Sequence, residues 1–182
     1  MKIAALFLIL LFSVSQSYGY HKARFSLAAG HFLENPSAGN STYSLAPKIT
    51  IAYPVTPKTR DINMEFGVVN IYEAQISGNA FQAAGFGIGI RINYNGFGFV
   101  RPYFNHEILT RLLFDPSKEG SAKTYSVLLG LGADFPFDPS RDKESPSVFV
   151  DFAYVFYDTV FFNTEEENYK ALCLTIGTAV PF

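Results

Sequence analysis

The stretch Ala84-Gly-Phe-Gly-Ile-Gly-Ile-Arg-Ile-Asn-Tyr94 decides the fold. Ala84, Phe86, Ile88, Ile90, Ile92 and Tyr94 fall on one side of an extended chain, and Gly85, Gly87, Gly89, Arg91 and Asn93 on the other. Strict alternation of this kind is the mark of a strand with one apolar face, because successive side chains in a strand point to opposite faces. Here the second face is made of glycine and a charge.

The pattern recurs. Tyr125, Val127, Leu129, Leu131, Ala133 and Phe135 alternate with Ser126, Leu128, Gly130, Gly132 and Asp134. Near the end, Leu172, Leu174, Ile176, Thr178, Val180 and Phe182 alternate with Cys173, Thr175, Gly177, Ala179 and Pro181. Weaker alternation marks strands around Phe25 to Ala29, Ile49 to Val55, Ile62 to Val68 and Val148 to Phe156. In the last of these Phe149 and Val155 lie on the second face. Phe97 to Leu112 is the least regular segment. Pro102 interrupts it, a place where a bulge would change the phase; the preferred register turns Arg101, Asn105 and Glu107 to one side. The count is eight strands. Turn signals at Pro57 to Arg60, Asn95-Gly96 and Asp138 to Ser147 mark one end. Glu34 to Tyr43, Glu73 to Gly78, Asp115 to Lys123 and Thr159 to Asn168 mark the other.

Which face is wet decides the class. Eight strands enclose a space just wide enough for side chains. Large Phe, Ile and Tyr side chains from every strand do not fit that space, whereas glycines and the charges Lys48, Glu65, Arg91, Asp134 and Asp151 do. The reading is therefore an all-β, eight-stranded antiparallel up-and-down transmembrane β-barrel. Its interior is packed with polar and small residues, and its apolar face meets lipid. Tyr53, Tyr94, Phe97, Tyr125, Phe135 and Tyr169 sit where interfacial aromatic girdles belong. The competing reading is a secreted soluble sandwich or lipocalin-like barrel with the faces reversed.

Residues 1–19 read as a cleavable secretory signal peptide. Lys2 opens it, Ile3 to Val14 form the apolar run, and Ser17 and Gly19 place small residues before the cut. The run is too short for a spanning helix, which needs about 20 apolar residues. Residues 20–182 then form one barrel domain exported to the bacterial outer membrane. Charged residues are only 16% of the chain and apolar residues 48%, which excludes a disordered tail or a coiled coil. A net charge of −2 argues against nucleic acid as a partner, and one cysteine excludes an intrachain disulfide and a multi-cysteine metal site.

The tail Leu172 to Phe182 resembles the C-terminal targeting strand of bacterial outer-membrane proteins. It has a terminal aromatic with apolar residues at alternate positions, and Thr178 and Pro181 depart from the pattern. Val100-Arg-Pro-Tyr103 and the glycine-alternating strands resemble small barrels of the OmpA and OmpX type. The resemblance implies periplasmic termini and surface loops beginning at Glu34, Glu73, Asp115 and Thr159. It also implies that Leu174, Ile176, Val180 and Phe182 act as an assembly signal read by the barrel-assembly machinery. Outer-membrane lipid and lipopolysaccharide are the expected surroundings, and a monomer is the expected state.

Lys48 and Arg91, with Arg101, are expected to face Glu65, Asp134 and Asp151, with Glu107, across the interior. Such charges must be paired or hydrated. The network reads as a structural plug, with a gate or narrow ion path as the functional alternative. No enzyme is expected. The barrel lipid A deacylases carry a His-x-Ser pair, and His21, His31 and His106 are not followed by one. His106 and Glu107 are adjacent in a strand and so point to opposite faces. Gly85 to Gly89 is not a dinucleotide fingerprint, Glu165-Glu-Glu167 reads as a solvated loop tip, and no cofactor or metal is expected. The functional reading is a structural, adhesive or surface-interaction barrel. A narrow channel for small or hydrophobic molecules is the alternative, and a lipid A-modifying enzyme the last.

Overall fold

The computed structural model describes residues 22–33, 41–56, 61–75, 82–114, 121–139, 145–162 and 165–182. The segment read as a signal peptide lies outside them, as do 34–40, 57–60, 76–81, 115–120, 140–144 and 163–164.

The alternating segments form eight strands: β1 (Lys22–Leu33), β2 (Ser41–Pro54), β3 (Ile62–Gln75), β4 (Gln82–Tyr94), β5 (Arg101–Phe114), β6 (Ser121–Pro136), β7 (Ser147–Phe162) and β8 (Glu165–Pro181). Each pairs antiparallel with the next, and β8 pairs back onto β1, so the sheet is a closed barrel. Closure leaves no strand with an unpaired edge. The register is staggered. Paired residues followed round from Phe25 run Ile49, Asn70, Phe86, Thr110, Tyr125, Thr159 and Asn168, yet Phe25 itself pairs with Thr178, ten residues further along β8. That stagger tilts the strands by roughly 35–45° from the barrel axis.

The two faces separate by polarity, with the apolar one outside. On β4, Phe86 is 66% exposed while Arg91 is 6% exposed. Ile88, Ile90, Ile92, Leu129, Leu131, Phe152 and Ile176 are likewise exposed, and Glu65, Glu107, Asp134 and Asp151 are buried. This arrangement is the reverse of a lipocalin-like barrel. The glycines have a packing reason as well. A Cβ on Gly87 would lie 2.2 Å from the Ile108 carbonyl oxygen and 2.6 Å from Leu109, so β4 and the inward side chains of β5 fit together only without it.

Three local features differ from the sequence reading. The strands reach further toward the loop end than the periodicity indicated. Tyr43, Glu73 and Lys123 lie within β2, β3 and β6, and Glu165 to Glu167 open β8 rather than forming a loop tip. The reason is that backbone pairing continues where side chains no longer need to alternate, as in the β7–β8 pairs Phe162↔Glu165 and Phe161↔Glu166. Pro102 carries no bulge, because β5 keeps one register with β6 from Arg101↔Asp134 to Phe114↔Ser121. The register shifts lie instead between Val127 and Leu128 against β7, and between Val155 and Asp158 against β8. The connection after β6 is drawn in by Phe137 N–H donating to Pro146 O at 2.9 Å and Asp138 N–H donating to Ser145 Oγ at 2.8 Å.

Candidate functional site

Period-two alternation delivers an inward side chain every second residue from each strand, and the barrel stacks these into three levels of polar groups. At the end where β1 starts and β8 finishes, Arg91 of β4 and Asp134 of β6 approach to 2.7 Å. Arg91 Nε also donates to Asn93 Oδ1 at 2.9 Å, and Asn93 Nδ2 donates to Asn63 Oδ1 at 2.8 Å. The guanidinium carbon lies 3.2 Å from the centre of the Tyr103 ring and 5.5 Å from that of Phe149. A delocalised, weakly hydrated cation suits such aromatic faces. Tyr103 is held in turn by donating its hydroxyl to Val150 O at 3.1 Å. Glu65 pairs in register with Arg91, and Arg101 with Asp134, so both belong to this level.

Halfway up, Lys48 of β2 reaches across the lumen to Glu107 of β5. Its ammonium donates to Oε1 at 2.8 Å and Oε2 at 3.1 Å, and Asn105 Nδ2 donates to the same Oε1 at 3.0 Å. Asp151 of β7 stands beside this pair, 4% exposed, and its Oδ2 has no hydrogen-bond partner. Toward the loop end, Arg111 of β5 binds Glu73 of β3, donates from Nε to Thr124 Oγ1 at 3.1 Å, and donates from NH2 to Ser126 Oγ at 2.6 Å. One guanidinium thus ties together β3, β5 and β6.

Among the described residues, small cavities lie on either side of the middle level. One, of about 30 Å³, is bounded by Glu65, Arg91, Tyr103 and Phe149; the other, of about 40 Å³, by Glu73, Arg111, Ser126 and Cys173. Lys48, Asn105, Glu107, Asp151 and Thr175 border both. Volumes of this size hold a few water molecules. The Lys48–Glu107 pair stands between these two spaces.

Of the residues expected to form the interior network, Arg91 meets Asp134, and Lys48 meets Glu107, one of the four acids expected to face it. Glu73 and Arg111 went unread, although a signal existed. Glu73 follows Glu65 at an even spacing, and Arg111 follows Arg101 and Glu107 likewise, so both inherit the inward phase. The assignment of their segments to loop and strand margin hid them. Leu174, Ile176, Val180 and Phe182 lie on the outward, exposed face of β8. Cys173 is buried inside. Glu107 is buried within the lumen, whereas His106, beside it in sequence, pairs in register with the outward-facing Ile90 and Leu129. Among the described residues no group of three His, Cys, Asp or Glu side chains is placed to hold a metal.

A closed eight-stranded barrel with apolar exterior and ion-paired lumen has the fold of the small outer-membrane barrels. Solved structures agree. The chain is similar to Neisserial surface protein A, with a TM-score of 0.64 and 15% identity over 90% of this chain and 99% of that one. It is also similar to Ail, the attachment invasion locus protein of Yersinia pestis, with a TM-score of 0.52 and 10% identity over 90% of this chain and 99% of that one. Ail in complex with the heparin analogue sucrose octasulfate gives a TM-score of 0.54, also at 10% identity, over 90% and 98% of the two chains. No family model matches the sequence, and no curated protein matches it.

Proposed function

We propose that this chain is an integral protein of the bacterial outer membrane whose barrel is a closed scaffold. It would act at the cell surface as a structural, adhesive or surface-interaction protein through the segments joining its strands at the loop end. One observation carries the reading: the polarity is inverted while the lumen is blocked at three levels by Arg91–Asp134, Lys48–Glu107 and Arg111–Glu73. Apolar side chains placed outward fit a lipid solvent, and a filled lumen leaves the surface segments as the working part. The folds of two proteins whose names refer to surface and attachment support that class of role.

Lipopolysaccharide and phospholipid are the proposed surroundings. The outward residues Leu174, Ile176, Val180 and Phe182 of β8 are the proposed signal for barrel assembly, and the leader at 1–19 the proposed export signal. No catalytic activity is proposed. Ser126, a hydroxyl in the lumen, is engaged by Arg111, and His106 is on the other side of the wall.

Fractionation and gel migration test the location: the unheated protein should stay with outer membranes and migrate differently from the boiled form. Planar-bilayer recording tests the blocked lumen. The expected result is no steady conductance above that of the bare bilayer, both for the native chain and for Arg91→Met. The second reading, a narrow path for small solutes, is favoured by the partnerless Asp151 oxygen between the two cavities. Discrete conductance steps, abolished by Asp151→Asn, would establish that reading instead. Protease nicking of intact cells at the loop-end segments, followed by loss of attachment, tests the surface role.

A further inference from the structure

The end of the barrel at which β1 starts and β8 finishes is lopsided. The sequence of its first turn, Pro57-Lys-Thr-Arg60 followed by Asp61, is charged. Its second turn reads Asn95-Gly-Phe-Gly-Phe-Val100 and carries no charge at all. Phe97 in that turn is 59% exposed and Phe99 is 70% exposed. In the third connection Phe137, 69% exposed, prolongs the outward series Leu131, Ala133 and Phe135 of β6. Three phenylalanines thus stand more than half exposed at one side of the rim, where a turn meeting only water would gain little from them.

Their position relative to the wall identifies what they meet. The second turn bends back over the outside of the barrel instead of capping the lumen. Tyr94 is the last outward side chain of β4, and a Cβ on Gly96 would lie 2.3 Å from its hydroxyl and 2.4 Å from its ring. Phe97 packs edge-on to the same ring, with centroids 5.2 Å apart and planes at 77°. Gly98, at φ 67°, reverses the chain between the two phenylalanines and meets nothing within 4 Å. The backbone groups of the turn are also well bonded. Asn95 N–H donates to Asp61 O at 2.7 Å, Phe99 N–H to Phe97 O at 2.8 Å, and Gly98 N–H to Asn95 O at 3.4 Å. A turn with internal bonds loses less on leaving water than one whose backbone is open.

We propose that Phe97, Phe99 and Phe137 form a wedge seated in the phospholipid headgroup region of the membrane leaflet on this side. The wedge anchors the β4–β7 side of the barrel deeper than the side carrying the charged first turn. The partner is a lipid surface. The wedge is continuous with the outward apolar wall through Tyr94 and Phe135, and phenyl rings in an uncharged turn offer a polar protein little to recognise. Phenyl rings gain by leaving water for the edge of the hydrocarbon, and Tyr94 beside Phe97 brings an amphipathic ring suited to that boundary. The inference rests on the membrane reading above.

The chain contains no tryptophan, so single substitutions give one reporter each. F97W, F99W and F137W are placed in phosphatidylcholine vesicles, with Ile88→Trp as a reporter in the middle of the wall and Asp61→Trp as a reporter in the charged turn. Lipid brominated near the headgroup should quench the three wedge reporters by about twofold or more, with emission shifted to the blue. Asp61→Trp should respond only to acrylamide in the water. If the wedge reporters behave like Asp61→Trp while Ile88→Trp is quenched by deeply brominated lipid, the wedge is overturned and the membrane barrel stands. If Ile88→Trp also escapes quenching in folded, heat-modifiable protein, the membrane reading falls with it. Gel migration of each unheated variant checks that it has folded.

Discussion

The upper and middle levels of the lumen solve one problem with different residues. At the loop end, Arg111 donates to Glu73 Oε2, Thr124 and Ser126 with three separate nitrogens, and strands β3, β5 and β6 are locked by a planar fork. Halfway down, the cation is Lys48, a point charge on a flexible stem that donates to both oxygens of Glu107, and Asp151 beside it keeps an oxygen without a hydrogen bond. The lesson is that pairing charges by count differs from pairing them by geometry. A forked donor ties three strands at once, while a single ammonium ties only two, and each level keeps one carboxylate oxygen without a hydrogen bond. Both cavities border the middle level, so any give in the plug is concentrated there.

The sharpest way to break this contrast is Arg111→Met. It leaves Glu73 buried without its cation and two hydroxyls without their donor, and should destabilise the barrel by about 3–5 kcal/mol. The urea midpoint of unfolding, read from the loss of the fast-migrating gel band, measures it. A loss below that of Lys48→Met would invert the ranking of the two levels. Lys48→Met should cost about 3 kcal/mol, since it leaves Glu107 buried without that cation, and Lys48→Met with Glu107→Met should recover most of that, because an ion pair replaced as a unit is often neutral. A double variant as unstable as the sum of the singles would show that the pair is not coupled.

Asp151→Asn sharpens the comparison by its sign. Both aspartates keep one oxygen without a hydrogen bond, but Asp134 holds Arg91 with the other, so removing the Asp151 charge should change stability by no more than about 1 kcal/mol and in the favourable direction. Asp134→Asn, which weakens the contact with Arg91, should be unfavourable by about 1–3 kcal/mol. Equal effects at the two aspartates would mean that the contact with Arg91 adds nothing to Asp134. The smallest effect concerns Cys173, which borders the upper cavity and is buried. In the folded barrel it should resist a water-soluble maleimide, and react fully after heating in detergent. Rapid labelling of the folded form would show that the upper level admits solutes.

Much of this was legible in the order of residues. The phase of β4 put Arg91 opposite Phe86, and β6 put Asp134 opposite Phe135, because side-chain direction in a strand follows from counting by two. The same count carried Glu107 inward despite Pro102. The partner of Lys48 was not legible. Its choice depends on which strands face each other across the lumen, and that is set by the stagger of the closed sheet. Glu73 and Arg111 were missed for a simpler reason. They lie where the apolar face stops alternating, so no hydrophobic pattern marks the strand that still holds them.

By itself, the sequence determined the number of strands, the side of the wall each residue occupies, and that the outside is apolar. Those properties are local, fixed by period two and by the volume eight strands enclose. The tertiary structure alone decided which charges meet, where two pockets of water-sized space are left, and that one turn folds back over Tyr94. The first two depend on the register at which β8 returns to β1, and closure is a property of the whole ring that no single strand encodes; the turn is set by its own contacts, Asn95 with Asp61 and Phe97 with Tyr94.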